Sequence, residues 1–187
     1  AYGYPDDVKR CIDGILQHSG NHSIEAIVID NGSTDGTGEL LEEMLTQHQE
    51  LRVIHCDHVI GDAASKNIGI MQSRARNIVV LDGSTEITGN ILDSVSHSLS
   101  DQTVGIFGPW GLSTPDMQHF HEEVETGEAD AMQAYCMAFR REEVNTVGLM
   151  RECFRFYRNL DIDYCFQFKD KGFRIIADSS LPLIRHE

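Results

Sequence analysis

The chain has 187 residues, of which 15 are Lys or Arg and 30 are Asp or Glu, and its formal net charge is −15. This length suits one domain with its own hydrophobic core. The negative field repels nucleic acid and anionic membrane surfaces, so we expect no nucleic-acid partner. A small anionic ligand would need a local Lys or Arg, backbone amides or a divalent cation to offset this charge.

The cysteines and the apolar runs indicate a compartment. The five cysteines are odd in number and never form a C-x-x-C pair, which argues against a disulfide framework or a structural zinc site. No apolar run approaches the about 18 residues of a membrane span, and no signal peptide is visible. We expect a cytoplasmic location and no membrane span in this chain.

The first half of the chain alternates amphipathic helices with short apolar strands. Each of three strands, over residues 24–30, 51–56 and 77–82, is followed by a turn and a helical pattern. In chain order, we predict a helix from Pro5 to Gly20, a strand at 24–30, a helix around 40–45, a strand at 51–56, a helix opened by Asp62, a strand at 77–82, a helix at 91–99 and a strand at 103–108.

The second half is less regular. Residues 108–131 are rich in Gly, Pro and charged side chains, which predicts a long loop. Residues 132–139 predict a strand, residues 140–148 a short helix, residues 161–172 a longer helix and residues 173–178 a last strand.

This order predicts an α/β fold, with a mainly parallel sheet flanked by helices on both faces in a single domain. Ligands of such sheets bind at the carboxyl ends of the strands. Asp30 and Asp82 each end a predicted strand at that edge.

The stretch Gly32 to Gly38, GSTDGTG, resembles a phosphate loop at first sight. Its spacing matches neither G-x-x-x-x-G-K-[ST] nor G-x-G-x-x-G. A strand-to-helix turn explains its residues, because the hydroxyls can accept hydrogen bonds from backbone amides and the glycines can adopt backbone torsions that other residues disfavour. It leaves Asp30 and Asn31 unexplained, and a carboxylate at a strand end can accept hydrogen bonds from a base or a ribose.

An ordered series of segments resembles the family 2 glycosyltransferases of the GT-A fold. The segments are AYGYPDDVKRCIDGIL, IVIDNGSTDGTGELLEE, GDAASKNIGIMQSRARNIVVLDGS, AFRREEVNTVGLM, LDIDYCFQFKDKGFRI and LPLIRHE. The resemblance implies a nucleotide-binding half over residues 1–100 and an acceptor-side half over residues 101–187. It also implies that the first strand of the family's fold precedes Ala1.

The resemblance assigns the donor nucleotide to five positions. Asp30 would accept hydrogen bonds from the nucleoside, Asn31 would assist, and Tyr2 would pack near the base. Lys66 falls at the family's basic position, although a solvated helix lysine is the alternative. Asp82 aligns with the first acid of the family's D-x-D motif.

The second acid of that motif is replaced by Ser84. In the family this acid anchors Mn²⁺ or Mg²⁺, which holds the diphosphate. Three alternatives are open. Asp82 and His186 hold the cation together with the diphosphate, Glu86 substitutes for the missing acid, or the cation binds weakly or not at all.

The resemblance also implies the catalytic base. Asp161 aligns with the Asp of the family's E-D pair, and Leu160 stands where the family has Glu. A carboxylate at this position would remove a proton from the acceptor hydroxyl in an inverting transfer. The alternative is that Asp161 and Asp163 cap the helix that follows.

Two functions are consistent with these residues. One is transfer of a sugar from a nucleotide-diphosphate sugar to a hydroxyl acceptor on a glycan, a lipid-linked molecule or a protein. The other is a catalytically weak nucleotide-sugar-binding module of a larger protein, which Ser84 and Leu160 favour. Trp110, the only tryptophan, either stacks on a sugar or anchors its own loop.

Overall fold

A computed structural model describes residues 1–116, 119–120, 122–154 and 159–186. The helices are α1 (Pro5–Gln17), α2 (Thr37–Leu45), α3 (Asp62–Gln72), α4 (Leu92–Ser98), α5 (Val144–Val147) and α6 (Leu160–Asp170), with a 3-10 turn at Arg141–Glu143. The strands are β1 (Ala26–Asp30), β2 (Leu51–His55), β3 (Asn77–Leu81), β4 (Thr85–Ile87), β5 (Val104–Gly108), β6 (Gly111–Ser113), β7 (Glu122–Val124), β8 (Thr126–Ala129), β9 (Ala131–Met132), β10 (Cys136–Arg140), β11 (Arg174–Asp178) and β12 (Leu183–Arg185). The predicted elements of the first half are confirmed to within a few residues.

The largest sheet has the strand order β3-β10-β5-β11-β8. Within it, β5 and β11 are parallel neighbours, whereas β10 is antiparallel to β3 and to β5, and β8 is antiparallel to β11. Strands β1 and β2 form a separate parallel pair. The α/β architecture is confirmed, but the pairing is mixed rather than mainly parallel.

The position of β10 explains the mixed pairing. Its first residue, Cys136, lies opposite Leu81, the last residue of β3. The chain therefore stays at the carboxyl edge after β5 and enters β10 from that edge. A parallel neighbour would require a crossover back to the opposite edge.

Among its described residues, the expected long loop over residues 108–131 contains short strands. Strand β6 pairs with β7 and β9, and β8 joins the large sheet beside β11. These strands are only two to four residues long and rich in glycine and acids, so their sequence carries little strand signal. Met117, Gln118 and His121 lie outside the described residues.

The main hydrophobic core packs α6 against the large sheet. Phe139 on β10 meets Tyr164 and Phe168 on α6, with ring centroids 5.6 and 5.8 Å apart. All three residues are fully buried, and such ring pairs stabilise a core beyond the area that they bury. This packing holds α6 on the sheet, and its first turn is bonded through Asp161 Oδ2 to the Ala134 nitrogen just before β10.

A second buried contact joins the two halves of the chain. Asn67 on α3 is 1% exposed, and its amide accepts a hydrogen bond from the Met150 nitrogen at 3.0 Å and donates one to the Met150 carbonyl at 2.9 Å. The asparagine beside Lys66 therefore holds the segment before α6 in place.

Candidate functional site

The turn after β1 presents Asp30 and Asn31 in fixed orientations. Asp30 is 4% exposed, and its Oδ1 accepts a hydrogen bond from the Ser33 nitrogen at 3.0 Å. Asn31 is also buried, and its Oδ1 accepts one from the Ile60 nitrogen at 2.9 Å. Gly32 has φ +75°, and a Cβ there would lie 2.6 Å from the carbonyl carbon of His58, so only glycine fits this turn.

The second oxygen of Asp30 contacts a histidine that the sequence analysis missed. His55 Nδ1 lies 2.9 Å from Asp30 Oδ2. Burial raises the pKa of Asp30, but hydrogen bonds from Ser33 and His55 outweigh it, so the pKa lies below its ordinary value. His55 and Asp30 end neighbouring parallel strands in register, a pairing that the sequence alone does not report.

Tyr2 lies beside this turn. The Asn31 nitrogen donates to the Ala1 carbonyl at 2.9 Å, and the Gly3 nitrogen donates to Ser33 Oγ at 3.0 Å. The Tyr2 side chain is 61% exposed. Its side chain is therefore open to a ligand, and the backbone on either side of it is bonded to the turn after Asp30.

Lys66 is not a solvated surface lysine. Its side chain is 14% exposed and pairs with Asp62 Oδ1 one helical turn earlier. Asp62 Oδ2 is buried and has no hydrogen-bond partner among the described residues. The Lys66 ammonium is thus held at the site rather than extended into solvent.

Asp30, Lys66 and Asp82 lie on or beside elements of the first half. Asp30 is the last residue of β1, Lys66 lies on α3, which packs against β1, and Asp82 directly follows β3. The Lys66 charge also acts on Asp161, where it favours the ionised carboxylate.

Asp82 and Ser84 are bonded to each other. Asp82 Oδ1 accepts hydrogen bonds from the Ser84 nitrogen at 2.9 Å and from Ser84 Oγ at 2.6 Å. Within the described part of the chain, Asp82 Oδ2 accepts no hydrogen bond. The serine thus orients the one remaining acid and leaves one of its oxygens for a ligand.

A short turn between β9 and β10 connects Asp82 to Asp161. The Asp82 nitrogen donates to the Tyr135 carbonyl at 3.0 Å, and the neighbouring Ala134 nitrogen donates to Asp161 Oδ2 at 3.1 Å. The sequence analysis predicted an unbroken strand over residues 132–139 and missed this turn. The two acids therefore flank the same three residues, Gln133–Tyr135.

Asp161 lies in the first turn of α6, where its Oδ1 also accepts a hydrogen bond from the Ile162 nitrogen at 2.9 Å. Burial raises the pKa of Asp161 above its ordinary value, although backbone hydrogen bonds and the Lys66 charge act in the opposite direction. Asp163 instead pairs with Arg151 at 2.6 Å. The two acids of this helix thus have different surroundings.

His186 follows β12 and pairs through its backbone with Ser84, since its nitrogen donates to the Ser84 carbonyl at 3.0 Å. Its Nε2 lies 2.7 Å from Glu86 Oε2. No three His, Cys, Asp or Glu side chains are grouped to hold a metal ion in residues 1–116, 119–120, 122–154 and 159–186. A cation here would take a carboxylate and an imidazole from the protein and its other ligands from a diphosphate or water, and the oxygen ligands of this set suit Mn²⁺ or Mg²⁺.

Trp110 belongs to a packed cluster at the same edge. Its ring meets Tyr135 edge-on with centroids 5.8 Å apart, and the Arg185 guanidinium lies 5.7 Å from both ring centroids. Arg185 also donates to Gln133 Oε1 and to Glu123 Oε1, each at 2.9 Å. Trp110 and Arg185 thus support the turn that connects Asp82 to Asp161.

No helix in the described part of the chain is both long enough and apolar enough to cross a membrane.

Known structures share this fold. The mannosyltransferase PcManGT from Pyrobaculum calidifontis, in complex with GDP-Man and Mn²⁺, is 17% identical with a TM-score of 0.77, and the match covers 97% of this chain and 53% of that one. GalNAc-T7 with UDP, GalNAc and Mn²⁺ is 14% identical with a TM-score of 0.84, and the match covers 99% of this chain and 42% of that one. These likenesses confirm the GT-A fold.

Sequence comparison points to one family. The glycosyltransferase GlyG of Streptococcus pneumoniae is 27% identical over 97 residues, which are 52% of this chain and 32% of that protein. The chain thus spans about a third of the length of this relative. The sequence profile of Glycosyl transferase family 2 matches residues 1–107, more than half of the 187 residues. This chain belongs to glycosyl transferase family 2.

Proposed function

We propose that this domain transfers a sugar from a nucleotide-diphosphate sugar to a hydroxyl acceptor with inversion at the anomeric carbon. The observation that carries the proposal is the turn Gln133–Tyr135, which bonds to Asp82 on one side and to Asp161 on the other. This shared contact supports the proposal, because an inverting transfer needs a base and a phosphate-side acid close to the same sugar.

The donor would bind along the carboxyl ends of β1 and β3. Asp30 and Asn31 would hold the nucleoside, and Tyr2 would pack on the base. The Lys66 ammonium would offset the diphosphate charge, which this acidic protein otherwise repels. Membership of the family and the nucleotide sugars named for the two similar structures support this placement.

Asp82 and His186 would hold a divalent cation, which when bound neutralises charge on the leaving diphosphate. To reach it, His186 would exchange its contact with Glu86 for the cation. Since Asp82 Oδ1 is occupied by Ser84, Oδ2 is the ligand atom. Of the three alternatives for Ser84, we therefore propose the one in which Asp82 and His186 hold the cation together with the diphosphate.

Asp161 would act as the base. Its carboxylate takes the proton of the acceptor hydroxyl while that oxygen bonds to the anomeric carbon, and the carbon–oxygen bond to the diphosphate breaks with its electron pair on the diphosphate. The raised pKa makes the ionised Asp161 a stronger proton acceptor than an exposed aspartate. The two backbone hydrogen bonds keep both its oxygens in place.

The test compares nucleotide sugars with and without Mn²⁺. Thermal stability of the protein would be followed with UDP-sugars and GDP-sugars, and release of UDP or GDP would then be measured with hydroxyl acceptors. We expect Mn²⁺-dependent stabilisation and turnover that is lost in Asp161→Asn. Asp163→Asn is the matched control, because Asp163 lies in the same helical turn but pairs with Arg151.

The second candidate function is a module that binds a nucleotide sugar without transferring it. Ser84 in place of the second metal-binding acid and Leu160 in place of the glutamate favour a nucleotide-sugar-binding module without efficient transfer. Stabilisation by a nucleotide sugar that ignores Mn²⁺, with no turnover on any acceptor, would support that module. No binding of either nucleotide sugar would contradict both functions.

A further inference from the structure

His55 bridges two carboxylates at the nucleoside end of the site. It ends β2 in register with Asp30, which ends β1. Its Nδ1 lies 2.9 Å from Asp30 Oδ2, and its Nε2 lies 2.8 Å from Glu42 Oε1 on α2. Only the protonated imidazole can donate from both nitrogens, so the bridge is complete when His55 is charged.

The surroundings leave Asp30 little freedom. Its side chain is 6% exposed, Ser33 bonds to Oδ1 and His55 to Oδ2. A Cβ at Gly38 would lie 3.4 Å from Asp30 Oδ2 and 3.9 Å from the His55 ring, so the first turn of α2 closes a third side. The lone pairs that remain for a ligand therefore have a fixed direction.

We propose that His55 is a positioning residue for nucleoside recognition, in which its ring, tied to Glu42, orients the Asp30 carboxylate toward the N–H and O–H donors of the bound nucleoside. This inference rests on the proposed function of Asp30. His55 is 40% exposed, and its contact with Asp30 leaves the other lone pairs of the carboxylate for the nucleoside.

The bridge makes nucleotide affinity dependent on pH. The hydrogen bond to Asp30, followed by that to Glu42, raises the pKa of His55. These two acids are the groups that face the ring from β1 and α2, and among the described residues the other acids of α2, Glu39 and Glu43, form no bond with it. As pH rises through the pKa of His55, one carboxylate loses its donor and the positive charge between the two acids disappears.

Isothermal titration calorimetry with UDP-glucose and GDP-mannose, in the presence of Mn²⁺, tests the inference from about pH 5 to about pH 8. These esters lack the terminal phosphate ionisation near pH 6 that would complicate the profile with UDP or GDP. For the nucleotide sugar that binds, we expect the affinity of the wild type relative to His55→Gln to fall with rising pH. His55→Gln should bind about tenfold more weakly at low pH, and this difference should shrink as pH rises.

Two further variants sharpen the test. His22→Gln removes a similar pair, since His22 Nε2 lies 2.6 Å from Asp93 Oδ1 away from the site, and it should leave the affinity and the profile unchanged. Glu42→Gln removes one of the two interactions that raise the pKa of His55. It should keep the low-pH affinity and move the fall in affinity to lower pH.

The outcomes separate this inference from the proposed function. If His55→Gln binds like the wild type at every pH, while Asp30→Asn loses binding, only the role of His55 is wrong. If the wild type binds neither nucleotide sugar, both proposals fail. If His55→Gln does not fold, Glu42→Gln decides, and an unshifted profile in that variant overturns the inference.

Discussion

Replacement of Asp161 by asparagine separates catalysis from folding. The change keeps the size of the side chain and removes its charge and its capacity to take a proton. A positioned general base contributes about 10²-fold to 10⁴-fold to the rate, which corresponds to about 3 to 5 kcal/mol of activation free energy. We therefore expect turnover of Asp161→Asn to fall by at least about 100-fold, with nucleotide-sugar affinity nearly unchanged, because our proposal places Asp161 on the acceptor side.

The effect of this change on stability follows from two opposing contributions. Burial raises the folded-state pKa of Asp161 above its ordinary value, so the ionised group costs stability at neutral pH, and asparagine removes that cost. Asparagine has one acceptor oxygen and cannot accept from both Ala134 and Ile162, which costs about 1 kcal/mol. The net change at neutral pH should stay within about 1 kcal/mol, or about 4 °C in Tm for a chain of this length.

The stability of the protein should also depend on pH through Asp161. Because the pKa of Asp161 is raised in the folded protein, protonation of this residue stabilises the fold. This stabilisation is complete below the ordinary pKa of aspartate and is lost as pH rises through the folded-state pKa. The wild type should therefore gain stability relative to Asp161→Asn as pH falls from neutral. Its kcat should fall over the same range as the base becomes protonated.

Steady-state nucleotide release and thermal unfolding, measured on wild type, Asp161→Asn and Asp163→Asn, check these expectations. Turnover of Asp161→Asn within about threefold of the wild type would refute the assignment of the base, since a general base contributes far more. Equal losses in both variants, or a Tm loss of about 10 °C in Asp161→Asn, would show a structural effect instead.

Three further predictions concern the cation, the diphosphate and the core. Ser84→Asp restores a second carboxylate, so Mn²⁺ should stabilise this variant more strongly than the wild type in thermal unfolding, and an unchanged response would contradict a cation site here. Lys66→Gln should weaken binding of UDP by about tenfold while binding of uridine changes little, and calorimetry that shows equal losses would place Lys66 away from the diphosphate. Arg140→Met should lose about 3 to 5 kcal/mol of unfolding free energy because it leaves buried Glu143 and several carbonyl oxygens unpaired. Denaturant unfolding measures this, with exposed Arg141→Met as a control that should change little.

The sequence of the first half predicts its structure well because the signals are local. Residues 24–30, 51–56 and 77–82 are compact apolar runs, each followed by turn residues, and they appear as β1, β2 and β3 with small changes at their ends. Residues 108–131 lack such runs. Strands β6 to β9 form there because their backbones find partners in other segments, which no local pattern reports.

The site shows the same division. Asp30, Asp82 and Asp161 are predicted site residues from motif and position. In the structure Asp30 ends β1, Asp82 follows β3, and Asp82 and Asp161 both bond to the turn Gln133–Tyr135. His55 and the turn Gln133–Tyr135 were missed, because each acts through residues that are distant in sequence. The interpretation of Lys66 also needed the structure, since only its burial separates a held ammonium from a solvated one.

The sequence by itself determined the family, the alternation of helices and strands, and the acids at the strand ends, because these depend on residue type and short-range spacing. The tertiary structure alone decided the mixed strand pairing, the bridge from Asp30 through His55 to Glu42, and the shared turn between Asp82 and Asp161. Those features are contacts between segments up to tens of residues apart. They exist only after the chain has packed, because burial and hydrogen bonding between distant residues then fix where each side chain points.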